Sequence, residues 1–102
     1  MNLTVRTAPD ADDHIRQIDE WWRTSRPSAP DLFLEELAAS FETIGHTPQI
    51  GRLYRPSPIA GTRRLLLRGA RYHVYYVVTD EAAIVLAVWH ASRGAGPPLR
   101  LG

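Results

Sequence analysis

Residues 71–94 read RYHVYYVVTDEAAIVLAVWHASRG: two apolar runs on either side of a short polar stretch, the second closing on His90-Ala91-Ser92-Arg93. Both runs are rich in Val, Ile, Tyr and Trp, and Thr79-Asp80-Glu81-Ala82 between them supplies turn chemistry, so the segment predicts a β-hairpin. Strand alternation then sorts the first run into two faces. His73, Tyr75 and Val77 share one, and Tyr72, Val74, Tyr76 and Val78 share the other. One face must be covered by helices, which leaves the other open to a partner.

Working back from the hairpin, TRRLLLR from Thr62 predicts a third strand, turned through Gly69-Ala70. Residues 46–61, HTPQIGRLYRPSPIAG, hold three prolines and two glycines and predict an ordered loop with a brief strand around Leu53. Loops of this length in compact domains are often functional. Before the loop, Phe33, Leu37, Phe41 and Ile44 form one helical stripe, with Gly45 as a C-cap. Ser28, three residues before Asp31, reads as a capping box with Pro30 in the first turn. An earlier stripe, Ala11, Ile15, Ile18 and Trp22, predicts a helix capped by Asp10 and running to about Arg23, with Trp21 at its edge. Leu3 and Val5 alternate with polar neighbours as in an edge strand. The tail 94–102, GAGPPLRLG, reads as extended or mobile.

The fold class expected is therefore α+β: an N-terminal strand and a two-helix hairpin packed on a small, mainly antiparallel sheet, in the order β-α-α-β-β-β. At 102 residues the chain is expected to form one domain. No apolar run approaches the ~18 residues of a membrane span. The N-terminus, MNLTVRTAPDADD, turns acidic where a signal peptide would be apolar, so a cytoplasmic location is expected. There is no cysteine, which removes disulfides, thiolate nucleophiles and Cys-based zinc sites together.

Net charge is +1, but unevenly placed. Residues 1–50 carry four arginines against nine acids, a balance of −5, and residues 51–102 carry eight against two, a balance of +6. Such asymmetry points to an anionic partner for the basic half. All twelve basic side chains are Arg; a GC-rich genome explains that, although guanidinium forks also suit carboxylates and phosphates. The four histidines lack His-x-x-x-His or His-Glu-x-x-His spacing, and neither G-x-G-x-x-G nor a P-loop occurs. No metal, nucleotide or other cofactor is expected. His14 and His46, beside polar positions, call for no special role, and Trp22 reads as core. His90 is open to either a strand-end hydrogen bond or a site role.

In order and spacing the chain resembles the RelE/ParE superfamily of bacterial toxins, and within it the ParE-like plasmid-stabilisation branch. The resemblance runs from about Ala11 to Arg93. It rests on Ala11-x-x-His14-Ile15-x-x-Ile18-x-x-Trp21-Trp22, Pro48-x-x-Gly51-Arg52, Gly61-Thr62-Arg63-Arg64, Tyr72-His73-Val74-Tyr75-Tyr76 and Val88-Trp89-His90-Ala91-Ser92-Arg93. It implies a toxin of a type II toxin–antitoxin pair, neutralised by a ParD-like or similar antitoxin with an acidic C-terminal segment. It also implies one of two targets: DNA gyrase, inhibited by binding, or ribosome-bound mRNA, cleaved without a metal. A non-toxic relative that keeps only antitoxin binding is a third reading. For cleavage the candidate catalytic set is His73, His90, Arg64 and Arg93, in which histidines exchange protons and arginines hold phosphate. For partner binding the set is Arg63, Arg64, Arg68, Arg71, Tyr75, His90 and Arg93. The nuclease branch places Arg where this chain has His73 and tends to supply lysines and a C-terminal His or Tyr. This chain has no lysine and no aromatic or histidine after Arg93, departures from the nuclease pattern. The resemblance to the ParE-like branch implies gyrase inhibition, and that is the expectation.

Overall fold

A computed structural model describes residues 2–102. The elements are β1 (Thr4–Thr7), α1 (Pro9–Ser25), α2 (Leu32–His46), β2 (Arg52–Leu53), β3 (Arg63–Leu67), β4 (Tyr72–Val78) and β5 (Ala82–His90). Five strands form one sheet in the order β1-β5-β4-β3-β2. β1 runs parallel to β5, and the other pairings are antiparallel. This is the α+β arrangement expected, with the brief strand at Arg52–Leu53 added at one edge. No helix among the described residues is long and apolar enough to cross a membrane.

Both helical stripes face the sheet. Ala11 and Trp22 from α1, with Phe33, Leu37 and Ile44 from α2, are buried against Leu67, Val74, Tyr76, Ala83, Val85 and Val88. Phe33 meets the Tyr72 ring edge-on at 5.4 Å. The helix starts differ from expectation. Ala8 still belongs to the sheet, its N–H donating to Val85 O at 2.8 Å, and Pro9 opens α1 at once because its fixed φ suits the first helical position. Asp10 therefore lies inside the first turn rather than capping it. Ser28 caps nothing, because Ala29 N–H bonds Arg26 O and Leu32 N–H bonds Ala29 O, closing the connector into successive turns. α2 then begins at Leu32, one residue past Asp31.

Gly45 is not a C-cap either, since α2 runs on to His46 and Thr47 N–H bonds Thr43 O. It is glycine because Leu3 N–H donates to Gly45 O at 2.9 Å and a Cβ would sit 3.0 Å from Leu3 O. The segment entering β1 lies close against the helix, and a side chain here would push Leu3 back by a few tenths of an ångström.

The alternation read along β4 holds: Val74 and Tyr76 enter the helix-side core, while Tyr75 and Val77 face away. The far face is not open, however. Tyr54 and Ile59 from the loop before β3, and Leu99 from the tail, pack on Tyr75, Val77, Leu86 and Ala87 to make a second, smaller core. The tail has no helix or strand, but it lies on the sheet rather than standing off it.

One device the sequence did not announce ties the two layers. Glu36, in α2, accepts hydrogen bonds from Gly69 N–H at 2.8 Å and Ala70 N–H at 2.6 Å. These are backbone donors of the β3–β4 turn, which Arg71 closes at φ 67° in the left-handed region. Hydrogen bonds to a charged acceptor are worth more than neutral ones, and Glu36→Ala is expected to cost about 2 kcal/mol. A urea midpoint equal to that of the parent chain would show the clamp to be idle.

Candidate functional site

A groove of about 750 Å³ opens between the second half of α1 and the end of the sheet where β4 begins and β5 finishes. Its floor and walls are aromatic: Trp21 and Trp22 from α1, Tyr72 from β4 and Trp89 from β5. Its rim is cationic, with Arg26 following α1, Arg71 in the β3–β4 turn and Arg93 beyond β5, and no Asp or Glu lines it. Ion pairs among the described residues engage Arg16, Arg23 and Arg100, none of which lines the groove.

Two of the three groove arginines instead stack on rings. Arg26 lies 5.6 Å from the centroid of Trp21 and 6.0 Å from that of Trp22, and Arg93 lies 4.5 Å above Trp89. Stacking holds a guanidinium by its face and leaves its edge donors free for a carboxylate or phosphate. Trp21 is 47% exposed and Trp22 only 7%. The indole Nε1 of Trp22 is buried with no partner among the described residues.

The histidines have distinct positions. His90 packs edge-on to Tyr72 at 5.0 Å, and its Nδ1 accepts from Ser92 N–H at 3.2 Å. Arg93 N–H bonds His90 O, so the His90–Arg93 spacing closes a turn at the end of β5 and presents Arg93 at the groove. His14 lies where β1 has ended and the edge of β5 would otherwise carry a bare donor. There its Nδ1 accepts from Val88 N–H at 3.2 Å, and its ring meets Trp89 at 5.4 Å. The sequence reading that His14 needs no special role is therefore corrected.

Burial holds the His14 pKa below the ordinary histidine value; Asp10 and Asp13 oppose the shift, and Arg93 adds to it. The neutral ring is thus the folded form. Its contribution to stability is fully present above the unfolded value of about 6.5 and is lost as pH falls from there through the lower folded pKa. His73, lowered by burial and then by Arg64 and Arg71, adds in the same direction. The urea midpoint should therefore fall between pH 7 and pH 5. His14→Asn, which keeps an acceptor but cannot titrate, should fall less steeply, and equal slopes would remove His14 as a cause.

The residues singled out from the sequence do not form one cluster. Arg71, His90 and Arg93 gather at the groove. Arg64, Tyr75 and His73 lie on the opposite face of the sheet: Arg64 sits 5.1 Å over the Tyr54 ring and 3.5 Å from the Tyr75 hydroxyl, and His73 neighbours Tyr75 at 6.0 Å. Arg63 donates to Gly51 O at 2.8 Å and Gln49 O at 3.2 Å, bracing the loop before β2. Arg68 is exposed in the β3–β4 turn. Of the conditional catalytic set, His73 and His90 face opposite sides of the sheet and are not brought together as an acid–base pair. Among the described residues no group of three or more His, Cys, Asp or Glu gathers as metal ligands.

Sequence reasoning missed the contribution of α1. Trp22 and Arg26 are four apart, the spacing at which the residue capping a helix returns to the face of its last turn, a signal that was available. That this face borders a groove depends on the packing of α1 against β5.

Comparison with known proteins adds the following. The family described as ParE toxin of type II toxin-antitoxin system, parDE, has a model that matches residues 5–94. A chain from the solved structure described as the chromosomal ParDE TA system from P. aeruginosa superposes with a TM-score of 0.71, covering 88% of this chain and 97% of that one, at 14% sequence identity. At that identity the likeness is one of fold. No curated protein sequence matches the chain.

Proposed function

This chain belongs to the family of ParE toxins of type II toxin–antitoxin systems, and we propose that its groove receives an acidic segment of a cognate antitoxin and that the free toxin arrests growth by binding DNA gyrase in the cytoplasm. Family membership implies the antitoxin. The observation that carries the site is the groove, where three arginines without carboxylate partners surround an aromatic floor and no acid lines the walls. A segment that alternates apolar side chains with carboxylates complements both features. Gyrase is the target that the ParE-like branch implies. Inhibition by binding needs only a complementary surface, and the separation of His73 from His90 argues against the nuclease reading.

The test is induced expression without antitoxin, with DNA and protein synthesis followed separately by pulse labelling. DNA synthesis is expected to fall first, with translation declining later. Translation falling first would overturn the gyrase reading in favour of mRNA cleavage. Growth without arrest would identify a non-toxic relative that keeps only partner binding.

A further inference from the structure

The tail 94–102 has no backbone–backbone hydrogen bond after that of Arg93, and side chains alone hold it. The indole Nε1 of Trp89 donates to Ala95 O at 3.0 Å. Gly96 passes beneath the Tyr54 hydroxyl, where a Cβ has no room. Leu99 is buried in the second core. Arg100 then makes a two-pronged ion pair with Asp10 at the start of α1, at 2.7 and 3.1 Å.

These anchors bear on the groove through one residue. Trp89 holds Ala95 by its indole edge and carries Arg93 on its face. Arg93 N–H on His90 O and Ala91 N–H on Arg71 O set the backbone turn within this segment, and beyond Arg93 the loop is closed by the Trp89–Ala95 hydrogen bond alone. Without the Ala95 contact, nothing among the described contacts other than the stack on Trp89 fixes the Arg93 guanidinium. Leu99 and the Arg100–Asp10 pair keep Ala95 in place.

We propose that residues 94–102 are a strap, latched by Arg100 on Asp10 and by Leu99 in the second core, that positions Arg93 at the groove; releasing the strap withdraws Arg93 from the partner's carboxylates. Arg100 and Leu99 are positioning residues that act through Trp89 and Arg93 and do not touch the partner. The proposal rests on the reading of the groove as a partner site, and coupling of this kind is reciprocal. A latched strap strengthens partner binding, and a bound partner strengthens the latch by the same factor.

Two readouts on the full chain test it. Arg93 δ-methylene protons above an indole ring resonate upfield of their random-coil position. In Arg100→Ala combined with Leu99→Ser that shift should collapse, whereas Arg100→Lys, which keeps the ion pair, should retain it. Persistence of the shift in the double variant, with its tail amides exchanging freely, would overturn the strap.

The second readout is the affinity of a fluorescent peptide of alternating Glu and Leu. It should weaken about five-fold in the double variant and stay within about two-fold of the parent in Arg100→Lys. A peptide that does not bind the parent chain would sink the groove reading, and one that binds equally when the Arg93 shift has collapsed would overturn the claim that the strap governs partner binding, while the strap's hold on Arg93 stands on the first readout.

Discussion

Reversing two charges at the groove, Arg71→Glu with Arg93→Glu, is expected to weaken binding of an acidic antitoxin segment by about a hundred-fold, near 3 kcal/mol. Neither arginine has a carboxylate partner among the described residues, so the substitution removes no internal ion pair. Two new carboxylates then face those of the partner across a partly desolvated aromatic floor. The matched control is Arg64→Glu, on the opposite face of the sheet beside Tyr54 and Tyr75, which should leave affinity within about three-fold. Titration calorimetry against the antitoxin, repeated in high salt, distinguishes the two variants. If both lose affinity alike, the partner reads the net charge of the basic half and not the groove.

The largest stability effect is expected at Tyr76. Its ring is fully buried in the helix-side core, yet its hydroxyl serves the loop before β2, donating to Pro48 O at 2.7 Å and accepting from Gly51 N–H at 2.9 Å. Tyr76→Phe removes both bonds and leaves a donor and an acceptor without partners, at a cost of about 2–4 kcal/mol. For a domain with a typical reserve of about 5–15 kcal/mol that is a large fraction. Burial also pushes the Tyr76 pKa up, opposed by the Gly51 hydrogen bond and by Arg63. A phenol whose folded pKa is raised stabilises the fold below its unfolded value of about 10 and ceases to as pH rises through the folded pKa. The parent chain should therefore lose stability above pH ~10 more steeply than the Phe variant. Equal urea midpoints at neutral pH would mean that water replaces the hydroxyl's partners.

Both predictions concern contacts that a linear reading could only partly reach. The stripes Ala11–Trp22 and Phe33–Ile44 and the alternation along β4 were legible because each is set by a local period, 3.6 or 2 residues, against one apolar layer. Helix starts were not. Ala8 N–H goes to Val85 O and Leu3 N–H to Gly45 O, so β1's pairing and packing decide where α1 begins and why α2 carries a glycine near its end. Glu36 reads as a solvated helix acid, and only the turn packed beside it makes it a clamp. His14 reads as exposed until the strand edge at Val88 turns out to need an acceptor.

What the sequence determined by itself was the layer architecture, the membership of each core stripe, and a basic second half suited to an anionic partner. What the tertiary structure decided was which residues of β5 meet which face. Tyr75 pairs with Ala87 and Tyr76 with Val85, which leaves Leu86 as an extra residue. Leu86 and Ala87 consequently both lie on the far face, and from there on the alternation is inverted. That inversion puts His90 beside Tyr72 on the groove side and turns Trp89 toward the tail. A bulge is a mismatch between two strands, so it has no signature in the period of either one, and it fixes the site only when β4 and β5 are paired.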